Sequence, residues 1–371
     1  MRRGGLHIAS WVLLGLLLVP IFQQITGVVH ERKLKGSYTI APVPSLNSVG
    51  WFRGTFQDSL EDAASDRFGF HNLFIRVNNQ VAFSLYRKAL ASGVEIGKEN
   101  YLYELNYILA HQGLDYLGDS MIEATTAKLA RLQQYLGEKG KTFVVVFAAG
   151  KGTFYPEYFP DKFSKTTGLN NQESYTRYFE EYGVNYIDFN QWFREMKDTS
   201  SYILYPRTGI HWSYYGMTLV ADSLARYLEA VTGEDFPDIE RGPVKLSRHY
   251  RETDDDIERA LNIIFRVNYD KMAYPDITFH DEGVEKKKAI IIADSFYWNL
   301  FNVGYSERMF DKGEFWYYNQ EVYIPGNRNA IQMQDVDQLE KLNNTDIVII
   351  MGTEATMEKF PFGIETLCLS E

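Results

Sequence analysis

The chain has 371 residues, 45% of them hydrophobic, and a formal net charge of −11 at pH 7. That length and apolar share suffice for a full buried core, while the acidic balance lacks the cationic footprint of a nucleic-acid binder, which argues against a polynucleotide partner. One cysteine, Cys368, rules out an intrachain disulfide, and no Cys/His cluster has zinc spacing, so neither metal nor cofactor is expected.

Met1-Arg2-Arg3 precede an apolar run from Leu6 to Val29 that is densest from Ile8 to Phe22. With Gln23, Gln24 and Thr26 at an interface, the run is long enough to span a bilayer, and no small-x-small cleavage site follows it. The expectation is one N-terminal transmembrane helix within residues 1–29, an uncleaved anchor rather than a signal peptide. Basic residues flank it on both sides and leave its orientation open. Residues 30–50 read as an extended, Pro-bearing linker, and 51–371 as one decorated domain, because no repeat or low-complexity segment divides them.

Gln57 to Leu90 has helical spacing with a charged face, and Val94 to Tyr103 reads as a hairpin about Gly97–Asn100. Asp119-Ser120 cap a helix to about Leu136, and the strand Thr142 to Phe147 follows. That strand ends in Ala148-Ala149-Gly150-Lys151-Gly152. This is either an ordinary turn or one that brings backbone N–H groups and the Lys151 ammonium towards a crevice. A helix from Asn171 to Tyr182 leads to a short strand and Asp188, which is either a helix cap or an active-site carboxylate. Next come Tyr205-Pro206-Arg207-Thr208-Gly209-Ile210-His211-Trp212 and an amphipathic helix from Met217 to Leu228. Pro237 to Gly283 is the least regular stretch. Its acidic run Thr253-Asp254-Asp255-Asp256 carries no assigned chemistry, and the stretch is read as a lid or surface insertion.

Lys287 to Leu300 reads strand, turn, helix, with Ala293-Asp294-Ser295-Phe296 at the turn. In an open α/β sheet, ligands sit beyond the carboxyl ends of the strands, so Ser295 is placed like a nucleophile, with an N-cap as the plainer alternative. A serine nucleophile needs a base within hydrogen-bond reach, and His211 is the candidate. Phe315 to Asn319 and a last strand, Asp346 to Met351 with Glu354 beyond it, complete the chain. Strands joined mostly through helices imply a largely parallel sheet covered on both faces.

A His-Trp motif followed later by Asp-Ser-Phe resembles the AlgJ/AlgX family of SGNH-like polysaccharide O-acetyltransferases. Further similar pieces are Gly54-Thr55-Phe56-Gln57, Asp66-Arg67-Phe68-Gly69-Phe70, Gly97 to Tyr103 and Gly150-Lys151 through Tyr158. The resemblance implies a three-layer α/β/α SGNH-hydrolase-like domain with permuted motif order, histidine before serine. It also implies Ser295 and His211 as catalytic pair, a polysaccharide acceptor, and a membrane-bound O-acyltransferase as acetyl supplier. The implied location is the bacterial inner membrane, with the catalytic domain in the periplasm. With no room for an appended carbohydrate-binding domain after the last strand, the chain is similar to the AlgJ-type. Asp294, Trp212, Lys151, Asn319 and Arg207 are expected to support the site, with the Ser295 backbone N–H as one oxyanion donor and Asn319 or Lys151 as the second.

The chain departs from the family where Gly209 stands in place of the acid of Asp-x-His-Trp. Asp188 and Glu354, both following strands, are the candidate substitutes. Three functions follow: acetyl transfer to sugar, the same chemistry with water as an esterase, and a non-catalytic polysaccharide-binding or assembly protein on the same fold.

Overall fold

Apolar runs of five to seven residues form the centre of the molecule, because β-branched and aromatic side chains buried on both faces suit parallel strands. The computed structural model describes residues 2–36, 39–163 and 168–366, except for the side chains of 2–9, and Cys368 lies outside the described residues. Eleven strands occur among them: β1 (Val94–Ile96), β2 (Leu102–Glu104), β3 (Thr142–Ala148), β4 (Tyr186–Asp188), β5 (Asp238–Ser247), β6 (Met272–His280), β7 (Ala289–Ala293), β8 (Glu314–Tyr317), β9 (Glu321–Tyr323), β10 (Ile331–Gln332) and β11 (Ile347–Thr353).

The main sheet runs β10-β9-β8-β7-β11-β3-β4. From β8 to β4 all neighbours are parallel, and β9 and β10 add an antiparallel edge. The register pairs Met351 with Ala293 and Thr353 with Ala148, so the strands end together along one edge. One face packs Ile290, Ile292, Val348 and Ile350 with Ile122, Leu129 and Phe179 from the helices Asp119–Glu138 and Asn171–Tyr182. The alternate residues Val144, Ile291 and Ile349 are equally buried on the other. This is the SGNH-like α/β fold.

The chain divides into two compact units, residues 1–92 with 258–266, and 93–257 with 267–371. In the first, Thr55–Arg67 and His71–Tyr86 are separate helices where one is expected, broken at Phe68-Gly69-Phe70, with Phe70 in the left-handed region. A Cβ on Gly69 would lie 1.9 Å from the Pro20 carbonyl oxygen, so glycine is what lets the chain approach the N-terminal helix there.

That N-terminal helix forms, Arg2–Thr26, but among the described residues no helix is long and apolar enough to cross a membrane, which overturns the transmembrane anchor. Its dense apolar part, Ile8 to Phe22, spans only about 22 Å at 1.5 Å per residue, against the ~30 Å of a hydrocarbon core. Gln23 does not stand at an interface. It is buried and closes the helix end by exchanging hydrogen bonds of 2.7 and 3.0 Å with the Val29 backbone.

The stretch read as irregular, Pro237 to Gly283, contains the antiparallel pair β5 and β6. Alternation fails as a signal because a bulge shifts the register between Arg241 and Val244. The acidic run lies in the connection between these strands.

Candidate active site

Ser295 follows β7 and opens the turn into the helix Tyr297–Asn302. Asp294 faces away from it: its carboxylate is buried and accepts from the Thr353 N–H at 2.8 Å, from the Thr353 and Thr356 hydroxyls at 2.9 Å each, and from the Phe296 N–H at 3.0 Å. Asp294 is therefore a clamp joining the ends of β7 and β11, and it presents Ser295 without touching its hydroxyl.

His211 Nε2 lies 2.9 Å from Ser295 Oγ, and Nδ1 lies 2.6 Å from Oδ2 of Asp256. A carboxylate on Nδ1 places the proton there and leaves Nε2 to accept from the serine. The Asp256 carboxylate is itself held, its Oδ1 accepting the Ile210 N–H at 2.9 Å and the Ile257 N–H at 2.7 Å. Burial opposes the imidazolium, but the hydrogen bond and charge of Asp256, with Glu104 and Asp294 behind it, outweigh that effect and raise the His211 pKa above its ordinary value.

The acid thus comes from the run to which the sequence assigned no chemistry. Two of its neighbours, Thr253 and Asp254, are tied down. The Thr253 hydroxyl accepts from Asn299 at 2.9 Å, on the helix that Ser295 precedes. Asp254 accepts from the Tyr214 N–H at 3.2 Å and the Tyr274 hydroxyl at 2.6 Å, and burial pushes its carboxyl up to about 7. Gly209 makes room for this segment: a Cβ there would lie 2.4 Å from the Thr253 carbonyl oxygen. The glycine that seemed to cost the site its acid is the position over which the replacement passes.

The two proposed substitutes sit elsewhere. Asp188 caps the helix Phe189–Met196 through the N–H groups of Asn190 and Gln191, and each of its carboxylate oxygens also accepts from the Gln172 amide at 2.9 Å. Glu354 is buried beneath Gly150–Thr153, accepts the Thr153 N–H at 3.0 Å, and is pushed up to about 7 by burial. Neither bonds to His211.

Lys151 also departs from its expected place. Its fully buried ammonium donates to the carbonyls of Leu102, Arg207 and Gly209 at 2.7, 2.8 and 2.7 Å, and burial lowers its pKa well below the usual lysine value. It fastens β2 to the histidine loop and has no donor left for an oxyanion. Asn319 spends its amide on the Phe362 carbonyl at 3.1 Å. Arg207 pairs with Asp270 at 3.1 Å and lies over Tyr101. Trp212 is buried, edge-on to Phe296 at 5.0 Å, and Phe296 packs on His211 at 4.6 Å, so the His-Trp and Ser-Phe motifs lock together through one ring.

Two further groups border the site, both unread in the sequence. Tyr318 is set beside the end of β7 by its N–H, which donates to the Ala293 carbonyl at 2.9 Å, and its hydroxyl oxygen is turned towards the Ser295 backbone N–H. Glu104, half-buried at the end of β2, has its pKa raised by burial and by Asp256, partly offset by His211. Among the described residues no group of three or more His, Cys, Asp or Glu side chains is placed to hold a metal.

Residues 94–276 match the family model of the SGNH hydrolase-like domain of the acetyltransferase AlgX, a span that contains His211 and Asp256 and ends before Ser295. No curated protein matches the chain. Among solved structures, the O-acetyltransferase domain of Pseudomonas putida AlgJ superposes with a TM-score of 0.44 at 12% identity, covering 71% of this chain and 92% of that one. Bacillus cereus PatB1 with a sulfonyl adduct gives 0.45 at 12% identity, covering 65% and 91%. Pseudomonas aeruginosa AlgX gives 0.39 at 14% identity, covering 70% of this chain and 55% of that one. At such scores these likenesses add nothing to the argument about function, which rests on the site and on the family match. What the comparisons support is therefore a match, over just under half of the chain, to the SGNH hydrolase-like domain of the acetyltransferase AlgX.

Proposed function

We propose that the protein is an extracytoplasmic O-acetyltransferase that acetylates a polysaccharide through an acetyl-serine intermediate. The observation that carries this is the continuous relay from Asp256 through His211 to Ser295, at 2.6 and 2.9 Å. Ser295 Oγ attacks the donor's acetyl carbonyl while His211 Nε2 takes its proton, and the donor's alcohol leaves with that proton. A sugar hydroxyl then gives its proton to His211 and attacks the acetyl-Ser295 ester, and Ser295 is reprotonated as it leaves. Asp256 holds the tautomer and stabilises the imidazolium.

The developing oxyanion needs donors at the end of β7. The Tyr318 hydroxyl, whose oxygen faces the Ser295 backbone N–H and whose proton is left to donate, supplies one in place of Lys151 and Asn319. The donor is delivered by a membrane-bound O-acyltransferase, and the acetyl group then passes to the glycan in the periplasm. The non-catalytic reading rested on the missing acid at Gly209, and Asp256 removes that support.

Intact-mass measurement on the full chain after exposure to an activated acetyl ester tests the reading. One acetyl adduct mapping to Ser295, absent in Ser295→Ala, is expected, and His211→Ala should slow its formation by about 10³-fold or more. An adduct that persists in Ser295→Ala ends the assignment. Added oligosaccharide separates transfer from hydrolysis, since acetylated sugar marks the first and acetate alone the second.

A further inference from the structure

Glu104 is a carboxylate that the acetyl-transfer chemistry leaves unused, and its position is tightly bracketed. On one side β2 is fastened to the histidine loop: the Leu102 N–H donates to Arg207 O at 2.9 Å, and Lys151 bridges Leu102 O to Gly209 O. Residues two apart on a strand share a face and lie roughly 6.6 Å apart, which carries Glu104 from the level of Arg207–Gly209 towards that of His211. On the other side, one turn into the helix Leu105–His111, Tyr107 lies 6.3 Å from the Phe296 ring, with its hydroxyl 3.3 Å from that of Thr353. Glu104 accordingly acts electrostatically on His211, Tyr107, Tyr317 and Tyr318.

Among the described residues its carboxylate forms no hydrogen bond or ion pair. The cations nearest by sequence expectation are committed, Lys151 to three backbone carbonyls and Arg207 to Asp270. Lys359 stands over the Tyr318 ring, 5.8 Å from its centroid, as an exposed rim charge. A half-buried carboxylate without a partner wants a hydrogen-bond donor that carries no negative charge. The half-exposed rings of Trp298, Tyr317 and Tyr323 form one contiguous aromatic surface, with centroids 4.5 to 6.5 Å apart, of the kind that covers a pyranose face, and Tyr317 within it feels the charge of Glu104.

We propose that Glu104 sets the charge class of the acceptor at this site: it accepts a hydrogen bond from a neutral or amino-bearing sugar ring and turns away a glycan built of uronates. This rests on the acetyl-transfer reading for the identity of the site, but binding can be measured without chemistry. The full chain carrying Ser295→Ala is titrated, by its tryptophan fluorescence, with a neutral glucose hexamer, a glucosamine hexamer and a galacturonate hexamer. The neutral and amino sugars are expected to bind at least about tenfold tighter than the uronate. Adding Glu104→Gln should weaken the neutral sugar by about ten- to a hundredfold, the span of a hydrogen bond to a charged group. Adding Glu104→Lys, in a protein with an unchanged unfolding midpoint, should reverse the order in favour of the uronate.

Equal binding of uronate and neutral hexamers, no binding of any of the three, or an order unmoved by Glu104→Lys overturns the proposal. In the catalytic arm, loss of Glu104 should raise KM for the sugar acceptor while leaving the KM of the acetyl donor in place. Absence of an acetyl adduct on Ser295 would strike the transfer reading instead, leaving the binding result to stand or fall by itself.

Discussion

At the scale of single residues the site turns on which carboxylate serves His211. Asp256 lies on Nδ1 at 2.6 Å, whereas Asp188 and Glu354 are bound to amides elsewhere. Asp256→Asn should therefore slow acetylation of Ser295 by about 10³- to 10⁴-fold, the cost of a wrong tautomer and an unsupported imidazolium. Asp188→Asn and Glu354→Gln should stay within about threefold of the parent, and a large loss in either, with Asp256→Asn near normal, would reject the relay. The pH profile supplies a second reading. His211 must be neutral to act as base and its pKa is raised, so acetylation should climb with pH through a midpoint above 6.5. Removing the charge of Asp256 takes away the hydrogen bond and attraction that raise the pKa, so the midpoint should fall. A midpoint unmoved in Asp256→Asn would deny the coupling.

Elements decide whether that geometry can form, and Gly209 is the test. Supplying the family's acid by Gly209→Asp ought to help if the site merely lacked a carboxylate. The structure argues the reverse, because any side chain there runs into the Thr253 carbonyl at 2.4 Å and displaces the segment that carries Asp256. Overpacking of this kind costs roughly 1–3 kcal/mol, and acetylation should fall at least about tenfold. A faster Gly209→Asp protein would refute this account. The same position shows why the sequence was only half legible. Ser295, His211 and the β7 turn announce themselves by local pattern, strand then turn then helix, and the structure brings the two residues within 2.9 Å. Asp256 gives no local sign, since one acid among Asp254, Asp255 and Asp256 is distinguished only by the contacts of Asn299, Tyr274 and Ile210 across the fold. Lys151 misled for a related reason: a glycine-rich turn exposes backbone, but three carbonyls from two other segments converged on its ammonium.

For the molecule as a whole, the apolar runs placed β3, β4, β7 and β11 to within about two residues and left β8, β9 and β10 unread, whereas the apolar N-terminal run was read too generously. Counting polar Gln23 and Thr26 into a span ignored that a glutamine can fold inward onto its own chain end. A whole-molecule consequence follows from the buried carboxyls. Burial raises Glu354 and Asp254 to about 7 in the folded state, from ordinary values of 4.5 and 3.8. Between those limits the folded protein holds protons that the unfolded chain has released, so stability falls as pH rises from about 4 to 7. His211 acts in the same direction, since its raised pKa contributes stability that is full below 6.5 and lost as pH climbs through the folded value. His111 opposes this, because burial lowers its pKa and makes the folded state the weaker proton binder there. Glu104, Asp115 and Asp188 are raised by burial as well, so the balance predicts a urea midpoint higher at pH 5 than at pH 8. Glu354→Gln removes one contributor, on the order of 3 kcal/mol across the window, and should flatten the dependence. A midpoint that rises from pH 5 to pH 8, or a Glu354→Gln protein with the parent's slope, would show that these carboxyls are ionised in the folded protein and that water reaches them.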